Sequence, residues 1–322
     1  MSISEQSGTI IIGAGMAGLA CASRLARAGM AATVLDKGRG IGGRMATRRV
    51  TLDAQDIRFD HGAQYFTVKD AGFARMLDDL PDATALWDDG GTTPHLVGRP
   101  GMSALPRHMG EGLAVHQQVE VTALQRSANG WAITSADQTT RHAAQIVLTI
   151  PAPQVLRLLG PDHPFAGALN AVQMAPCLTL MAAFAADAPR PFANRSDPDH
   201  PLAWIAQDSS KPDRTGPVTT WVAQASPAWS AHYLEESPEQ IAARMLPLLA
   251  EVLGLSAADA RYAAAHRWRY ARVTTPLGQP FLHSGQDALY LGGDWCIGPR
   301  VEAAWQSGDA IAQTIIKARD AG

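Results

Sequence analysis

The chain has 322 residues, which is about the length of two ordinary domains. Hydrophobic residues make up 46% and charged residues 18%, and 27 Lys and Arg against 30 Asp and Glu leave a net charge of −3. This composition excludes a disordered chain and argues against nucleic-acid binding, which usually needs a basic excess. Three widely spaced cysteines argue against a disulfide framework and a zinc ribbon. The polar N-terminus and the lack of a long apolar run predict a cytoplasmic protein without a membrane span.

The first predicted elements form a βαβ unit. Residues 9–12 are apolar and β-branched, which is typical of a buried parallel strand. The segment GAGMAG at 13–18 follows, with a helix over 17–28 and a second strand over 32–35 that ends at Asp36. A GxGxxG segment between a strand and a helix predicts a dinucleotide-binding domain.

The glycines and the acid of this unit have separate predicted roles. Gly13 permits the tight turn, Gly15 lets a pyrophosphate approach the backbone, and Gly18 allows the helix to pack closely on the strand. The pyrophosphate would lie at the positive end of the helix. Asp36 lies 21 residues after Gly15, where an acid accepts hydrogen bonds from a ribose diol and disfavours a 2′-phosphate.

A second glycine-rich segment follows, and it predicts a loop over 38–49. Gly40, Gly42 and Gly43 let the backbone approach a ligand, and Arg44 could pair with a pyrophosphate oxygen. An NAD dehydrogenase usually needs no such loop at this point, so the segment favours FAD.

The rest of the chain predicts a second sheet and a closing helix. Residues 115–150 predict a small antiparallel meander that turns at Asn129 and Gly130. Further strands are predicted over 177–185, 202–207, 218–225, 262–270 and 288–291, and helices over 238–253 and 301–318.

The segment GGD at 292–294 lies between the last predicted strand and the closing helix. The carboxylate of Asp294 suits a ribityl hydroxyl, and a helix N-terminus beside the flavin pyrimidine edge stabilises the anionic reduced form. Together with the two glycine segments, this makes FAD the predicted dinucleotide.

Several segments resemble known families. DKGRGIGGRMATRR, together with GAGMAG, resembles the flavin-containing amine oxidase superfamily. Narrower segments resemble the renalase family, above all its bacterial members: FDHGAQYFT at 59–67, GRPGMSAL at 98–105, LTIPAPQ at 148–154, HRWRYARV at 266–273 and GGDWCIGPRVEAAWQSG at 292–308.

The resemblance implies an α/β fold of the p-hydroxybenzoate hydroxylase type. This fold has a Rossmann-like FAD-binding domain and a second, α+β substrate domain. We expect residues 1–70, 98–160 and 280–322 in the FAD-binding domain, and residues 71–97 and 161–279 in the substrate domain.

The resemblance also implies an activity. Renalase-like enzymes hold FAD without a covalent bond and oxidise 2- and 6-dihydro isomers of NAD(P)H to NAD(P)+, with O2 reduced to H2O2. The candidate FAD-binding residues are Gly13, Ala14, Gly15, Gly18, Asp36, Lys37, Gly43, Arg44, Ala63, Gln64, Val119, Asp294 and Val301.

For this reaction we expect the flavin N5 to accept hydride and aromatic side chains to clamp the nicotinamide ring. Hydride loss from a dihydropyridine needs no prior deprotonation, so positioning matters more than a general base. No catalytic side chain and no metal site is predicted. The substrate-binding candidates are Tyr65, Trp204, Gln224, Trp268, Tyr270 and Trp295, and Gln224 stands where relatives tend to carry His.

Other polar side chains near these motifs are given structural interpretations. We interpret His61 and His266 as hydrogen-bonded structural residues and Lys211 as a solvated loop charge, although Lys211 and Ser209 could also hold substrate phosphates. Cys296 is expected to pack in the core and not to form a thioether with the flavin.

Two other functions remain open. One is an amine oxidase acting on a small amine, although no motif contains the lysine that many such enzymes place near flavin N5. The other is a non-enzymatic flavin-binding redox sensor. We expect small-molecule partners, and the oligomeric state is left open.

Overall fold

A computed structural model describes residues 7–214 and 216–321, and these fold around two larger sheets. The strands are β1 (Ser7–Ile12), β2 (Ala32–Leu35), β3 (Thr47–Leu52), β4 (Gln55–Asp60), β5 (Thr84–Trp87), β6 (His95–Gly98), β7 (Ala114–His116), β8 (Val121–Ser127), β9 (Gly130–Ser135), β10 (Thr140–Leu148), β11 (Gln173–Ala185), β12 (Asn194–Ser196), β13 (Leu202–Gln207), β14 (Val218–Ala225), β15 (Tyr262–Thr275), β16 (Phe281–Ser284) and β17 (Leu289–Gly292). The helices are α1 (Met16–Arg27), α2 (Ala71–Asp78), α3 (Ala104–Gly110), α4 (Ala152–Leu159), α5 (Ala166–Ala171), α6 (Pro227–His232), α7 (Pro238–Leu253), α8 (Asp294–Ile297) and α9 (Val301–Ala321).

The first sheet has a parallel centre. Its strand order is β16-β17-β10-β1-β2-β7, and β9 and β8 extend it by antiparallel pairing from β10. β1 pairs in parallel with β2 and β10, and β17 pairs in parallel with β10. Ile10, Ile11 and Ile12 are all buried, as expected for a parallel strand covered on both faces. The Rossmann-like fold class predicted from the glycine motif is confirmed.

Two helices pack closely on this sheet because glycines stand at their contacts. A Cβ atom at Gly18 in α1 would overlap the carbonyl oxygen of Gly13, and one at Gly308 in α9 would overlap the carbonyl oxygen of Ala17. Gly13 itself has a φ of 111°, which favours glycine. These contacts hold α1 directly behind the glycine turn, with α9 against it.

The second sheet is antiparallel, in the order β12-β13-β14-β11-β15. One face packs on α7, where Leu180 and Trp221 of the sheet lie in one apolar cluster with Met245 of the helix. Helix α7 begins with a capping box in which Ser237 and Gln240 bond each other's backbone N–H groups. Part of the opposite face packs on the β3–β4 hairpin, where Met181 and Val222 lie in one apolar cluster with Phe59.

Three parts of the chain differ from the sequence-based expectation. The loop predicted over 38–49 ends early, because β3 begins at Thr47 and pairs with β4. Val115 belongs to β7, which pairs in parallel with β2 and lies outside the meander of β8, β9 and β10. The elements from α2 to β6, the helices α3, α4, α5, α6 and α8, and the strands β12 and β16 were not predicted, because they are short and depend on packing.

The proposed domain boundaries stay a prediction. The strands of the first sheet come from 7–35, 114–148 and 281–292, and those of the second from 173–275. Within residues 7–214 and 216–321, no helix is both long and apolar enough to cross a bilayer.

A cluster of four buried charges joins the separate β3–β4 hairpin to the segment between β13 and β14 of the second sheet. Asp60, at the end of β4, contacts Lys211 Nζ at 3.2 Å and Arg214 Nη2 at 2.5 Å. Asp208 contacts the same two residues, each at 2.7 Å. Burial alone would raise the pKa of Asp60, but Arg214 and Lys211 outweigh it and lower that pKa. The cluster balances two negative and two positive charges.

Our interpretation of Lys211 as a solvated loop charge is wrong. Its side chain is 0% exposed, and its ammonium group lies 5.3 Å from the centre of the Trp87 ring. The ammonium also donates to Gln64 Oε1 at 3.3 Å. A charge this deeply buried is stable only with partners, and the two carboxylates provide them.

We predict that replacing Gly308 with Ala destabilises the protein. The added methyl group would press on the backbone of Ala17, and overpacking of this kind costs about 1–3 kcal/mol. Gly167→Ala is the control, because open space surrounds that position in α5, and Ala favours a helix. Urea unfolding followed by circular dichroism measures both changes. An unchanged midpoint for Gly308→Ala would contradict the close contact of α1 and α9.

We predict that Lys211→Met lowers the free energy of unfolding by about 3–5 kcal/mol, because it leaves one buried carboxylate uncompensated. The effect depends on pH. A lowered carboxyl pKa contributes stability above about pH 4 that is lost as pH falls. Without Lys211, the pKa of Asp60 rises and this loss begins at higher pH.

The control for Lys211→Met is Arg99→Met, which removes an exposed ion pair with Asp213. Screening by water makes such a pair weak, so the Arg99→Met variant should be about as stable as the unchanged protein. Equal stability of the Lys211→Met and Arg99→Met variants, compared by urea titration from pH 3 to 8, would refute the role of the cluster.

Candidate functional site

Open space lies in front of the N-terminus of α1. A Cβ atom at Gly15 would meet no atom within 4 Å, whereas Cβ atoms at Gly13 and Gly18 would meet backbone or side-chain atoms at once. The first turn of α1 holds no acidic residue. The positive helix end therefore faces unfilled space, which fits the pyrophosphate of a dinucleotide.

The two glycine loops contact each other beside this space. Gly42 N–H donates to the carbonyl oxygen of Ala14 at 2.9 Å. The carboxylate of Asp36 accepts from the N–H groups of Ala14 and Gly38, both at 2.6 Å. Each carboxylate oxygen keeps a second lone pair, so these bonds leave capacity for a ribose diol.

Lys37 and Val119 lie together beyond the end of β2. They line a cavity of about 350 Å3 with Arg39 and Glu120. The N–H of Val119 donates to the carbonyl oxygen of Asp36 at 2.9 Å. This hydrogen bond fixes the segment around Val119 beside Asp36.

Arg44 and Asp294 form an ion pair with each other. Arg44 Nη2 lies 2.5 Å from Asp294 Oδ1, and Arg44 Nη1 lies 2.8 Å from Asp294 Oδ2. Arg44 Nη1 also donates to the carbonyl oxygen of Ala271 on β15 at 2.9 Å. The sequence predicted separate cofactor contacts for the two residues, and it gave no sign of this bidentate pair. Val301 begins α9 a few residues later.

The loop over 61–65 lies between the flavin-loop residues and the second sheet. Ala63 N–H donates to the carbonyl oxygen of Arg44 at 2.8 Å. From the sheet, Trp268 Nε1 donates to the carbonyl oxygen of His61 at 2.7 Å, and Gln224 Nε2 donates to that of Gly62 at 2.6 Å. The loop backbone therefore holds the two predicted sites side by side.

Four residues form a row across the face of the second sheet that lies opposite α7. Trp204, Gln224, Thr179 and His266 are direct neighbours on β13, β14, β11 and β15. Trp268 follows two residues after His266 and therefore points to the same face. We call these five residues the sheet wall. One further predicted substrate residue, Tyr65, lies beside Trp204 of this wall.

Tyr65 lies against the sheet wall, whereas Tyr270 lies where the pairing of β15 with β11 shifts register. Tyr65 lies with its ring centre 5.6 Å from that of Trp204 and stacks on His95 at 3.6 Å. Burial, followed by the charge of Asp89, raises the pKa of Tyr65. Tyr270 lies two residues beyond Trp268 on β15.

His61 and His266 adjoin Trp268 and are held neutral. The two imidazole centres lie 4.7 Å apart, and each lies within 5.5 Å of the Trp268 ring centre. Burial, with smaller contributions from nearby charges such as Arg48, lowers the pKa of both histidines to about 4. The interpretation of His61 as a fully hydrogen-bonded residue is wrong, because its buried Nδ1 has no partner among the described residues.

Trp295 does not join the sheet wall. Its ring is 0% exposed in the core, and its Nε1 donates to the carbonyl oxygen of Ile150 at 3.1 Å. We therefore leave it out of the proposed substrate contacts. Cys296 is also fully buried, and burial strongly raises the pKa of its thiol, which fits the packing interpretation.

Several site residues were missed by sequence reasoning. Thr179 lies at the centre of the sheet wall, and Asp60, Asp208 and Arg214 anchor the loop over 61–65. Asp60 does fall within the quoted segment FDHGAQYFT, but nothing local indicates that its partners lie about 150 residues away. Among residues 7–214 and 216–321, no group of three or more His, Cys, Asp or Glu side chains is arranged to hold a metal.

Comparisons of structure show the same fold in proteins of very different sequence. Cyclohexylamine oxidase from Brevibacterium oxydans IH-35A is 13% identical, with a TM-score of 0.78 over 98% of this chain and 100% of that one. A protein of Exiguobacterium sp. 255-15 assigned as a protoporphyrinogen oxidase is 14% identical, with a TM-score of 0.77 over 97% and 99%. Putrescine oxidase bound to putrescine is 15% identical, with a TM-score of 0.70 over 97% and 99%.

The sequence itself matches two family models. Residues 11–80 match an NAD(P)-binding Rossmann-like domain, which agrees with the position of β1, α1 and β2. Residues 83–316, well over half of the chain, match the flavin containing amine oxidoreductase family. The open space before α1 and the two glycine loops fit the FAD cofactor of such enzymes. The chain therefore belongs to the flavin containing amine oxidoreductase family and is an FAD-dependent oxidoreductase acting on small molecules.

Proposed function

We propose that this enzyme is a renalase-like oxidase that converts 2- and 6-dihydro isomers of NAD(P)H to NAD(P)+. The observation that carries the proposal is the sheet wall, an aromatic and amide-bearing surface beside the flavin loops. When bound without a covalent link, FAD supplies a hydride acceptor at N5 and passes the electrons to O2, giving H2O2.

The shape of the sheet wall suits a flat, uncharged dihydropyridine ring. The indole of Trp268 and the phenol of Tyr65 offer ring faces on either side of Gln224. The Gln224 amide nitrogen is bound to Gly62, so its oxygen is available to a carboxamide N–H. These residues position the ring, which is the main requirement of direct hydride transfer.

The charge around the sheet wall suits an anionic substrate. Arg48 lies near His61 and His266, and Arg272 lies near Tyr65, since each affects the pKa of its neighbours. Neither arginine has an ion-pair partner in the described part of the chain. Two unpaired guanidinium groups favour the phosphates of a dinucleotide over a cationic amine.

The nearby carboxylates are already engaged by other groups. Asp89 is 3% exposed and contacts His95 Nδ1 at 2.7 Å and Asn194 Nδ2 at 2.6 Å. Asp60 is bound within the buried charge cluster. The site therefore offers an ammonium group little electrostatic attraction.

Oxidation of a small amine is the alternative function. It is favoured by the family and by the fold shared with putrescine oxidase and cyclohexylamine oxidase. The redox-sensor alternative has no such support, because the family consists of oxidoreductases.

We predict that the purified protein carries one non-covalent FAD and that Asp36→Ala weakens FAD binding. Hydrogen bonds to a charged group are worth about 1.5–3 kcal/mol, so the dissociation constant should rise roughly 10- to 100-fold. Acid precipitation tests whether FAD is bound covalently, because non-covalent flavin is released and absorbs at 450 nm in the supernatant. Fluorescence titration of the apoprotein measures the FAD affinity.

Asp187→Ala is the control for this prediction, because it removes an exposed acid elsewhere and should leave FAD affinity unchanged. Flavin that stays with the acid precipitate would indicate a covalent bond and would implicate Cys296. An unaltered affinity in Asp36→Ala would show that this carboxylate does not hold the ribose.

We predict that flavin reduction by 2- or 6-dihydro-NAD depends little on pH between about 6 and 9. His61 and His266 have pKa values of about 4, so both stay neutral across this range and add no titration. Amine oxidation differs, because the amine must first lose a proton, so its rate should climb with pH. Anaerobic stopped-flow absorbance measures the reduction step with each substrate.

His266→Ala tests the same mechanism from the side of the protein. If a dihydro-NAD isomer still reduces the flavin of the folded, FAD-loaded variant rapidly, no proton transfer through this imidazole is needed. Complete loss of reduction in that variant, or a steep pH profile in the unchanged enzyme, would point to acid–base chemistry. Rapid bleaching by an amine alone would favour the alternative function.

A further inference from the structure

A second cationic cavity lies outside the predicted flavin and substrate sites. It has a volume of about 200 Å3 and lies between the β3–β4 hairpin and α3. Three of its lining residues are Arg49, Arg58 and Arg107, with Thr47 and Ser103 among the rest. None of the lining residues is among the predicted cofactor-binding or substrate-binding residues.

The two hairpin arginines are placed against each other. Arg49 and Arg58 are direct cross-strand partners on β3 and β4, and like charges in this position destabilise a hairpin. Arg107 of α3 adds a third guanidinium to the same cavity. None of the three has an ion-pair or hydrogen-bond partner for its side chain in the described part of the chain.

The acids on the same face do not neutralise this charge. Asp60 and Asp56 lie on β4 on either side of Arg58. Asp60 accepts from Thr47 Oγ1 at 2.6 Å and is otherwise committed to Lys211 and Arg214. Asp56 is exposed and accepts from Thr51 Oγ1 at 2.9 Å. The cavity therefore has three guanidinium groups without an ion-pair partner among the described residues, with Arg49 and Arg107 exposed and Arg58 half-buried, and a bound anion would relieve their mutual repulsion.

We propose that this cavity binds a small multivalent oxyanion of the phosphate or pyrophosphate class. Guanidinium groups bind such oxyanions through paired N–H donors, and the hydroxyl of Ser103 lies among the lining groups. A cavity of this size admits one or two phosphate groups. The bound anion would link α3 to the hairpin that leads into the loop over 61–65.

The test is titration of the FAD-loaded protein with inorganic pyrophosphate, by calorimetry and by thermal unfolding, at constant ionic strength. We expect one site, a rise in Tm, and an affinity about 10- to 100-fold lower in Arg58→Gln. The control is Arg157→Gln, which removes the same charge from an exposed position on α4 and should leave affinity unchanged.

Two further measurements keep the proposal falsifiable. Without pyrophosphate, Arg58→Gln should be at least as stable as the unchanged protein, because one repelling charge is gone. ADP as a second probe identifies the source of the anion: Arg58-dependent binding tighter than that of pyrophosphate indicates a nucleotide, and weaker binding indicates a free oxyanion.

The proposal is overturned by absence of pyrophosphate binding, by binding that survives Arg58→Gln, or by equal losses in Arg58→Gln and Arg157→Gln. Tighter, Arg58-dependent binding of a DNA duplex than of pyrophosphate would also overturn it, because it would show an extended polyanion surface. Since the cavity lies apart from the sheet wall, turnover of dihydro-NAD should be unchanged in Arg58→Gln, whichever substrate the enzyme prefers.

Discussion

Four buried charges set the position of the loop that joins the two halves of the site. Asp60 ends β4 of the separate β3–β4 hairpin, and its partners Lys211 and Arg214 follow β13 of the second sheet. Because a buried charge without a partner is very costly, the hairpin and the second sheet pack stably only when these groups meet. The loop over 61–65 begins at the residue after Asp60, so the charge cluster also fixes the position of the loop backbone.

The contacts between the halves of the site use the backbone of this loop more than its side chains. Arg44 of the flavin loop accepts from Ala63, while Trp268 and Gln224 of the second sheet donate to His61 and Gly62. Backbone groups have fixed positions, so these bonds define the distance between cofactor loop and sheet wall. Among its side chains, Tyr65 lies beside Trp204 of the sheet wall, where we propose that it contacts a substrate.

Electrostatics separate the two ligand sites that we propose. The sheet wall is neutral and aromatic, with its histidines uncharged and arginines only at its margins. The cavity beside the β3–β4 hairpin instead concentrates three guanidinium groups. A ring that gives up hydride suits the first environment, and a compact oxyanion suits the second.

The sequence by itself determined the first βαβ unit and the predicted cofactor. The glycines at 13–18 and Asp36 act within one short segment, so spacing alone predicts β1, α1 and β2. Only the tertiary structure decided the pairing of Arg44 with Asp294 and the burial of Lys211. Those partners lie 250 and 151 residues apart, and their meeting depends on how distant segments pack, which no local sequence pattern records. The place of Trp295 in the core has the same origin, because a large ring suits a core and a binding surface equally well.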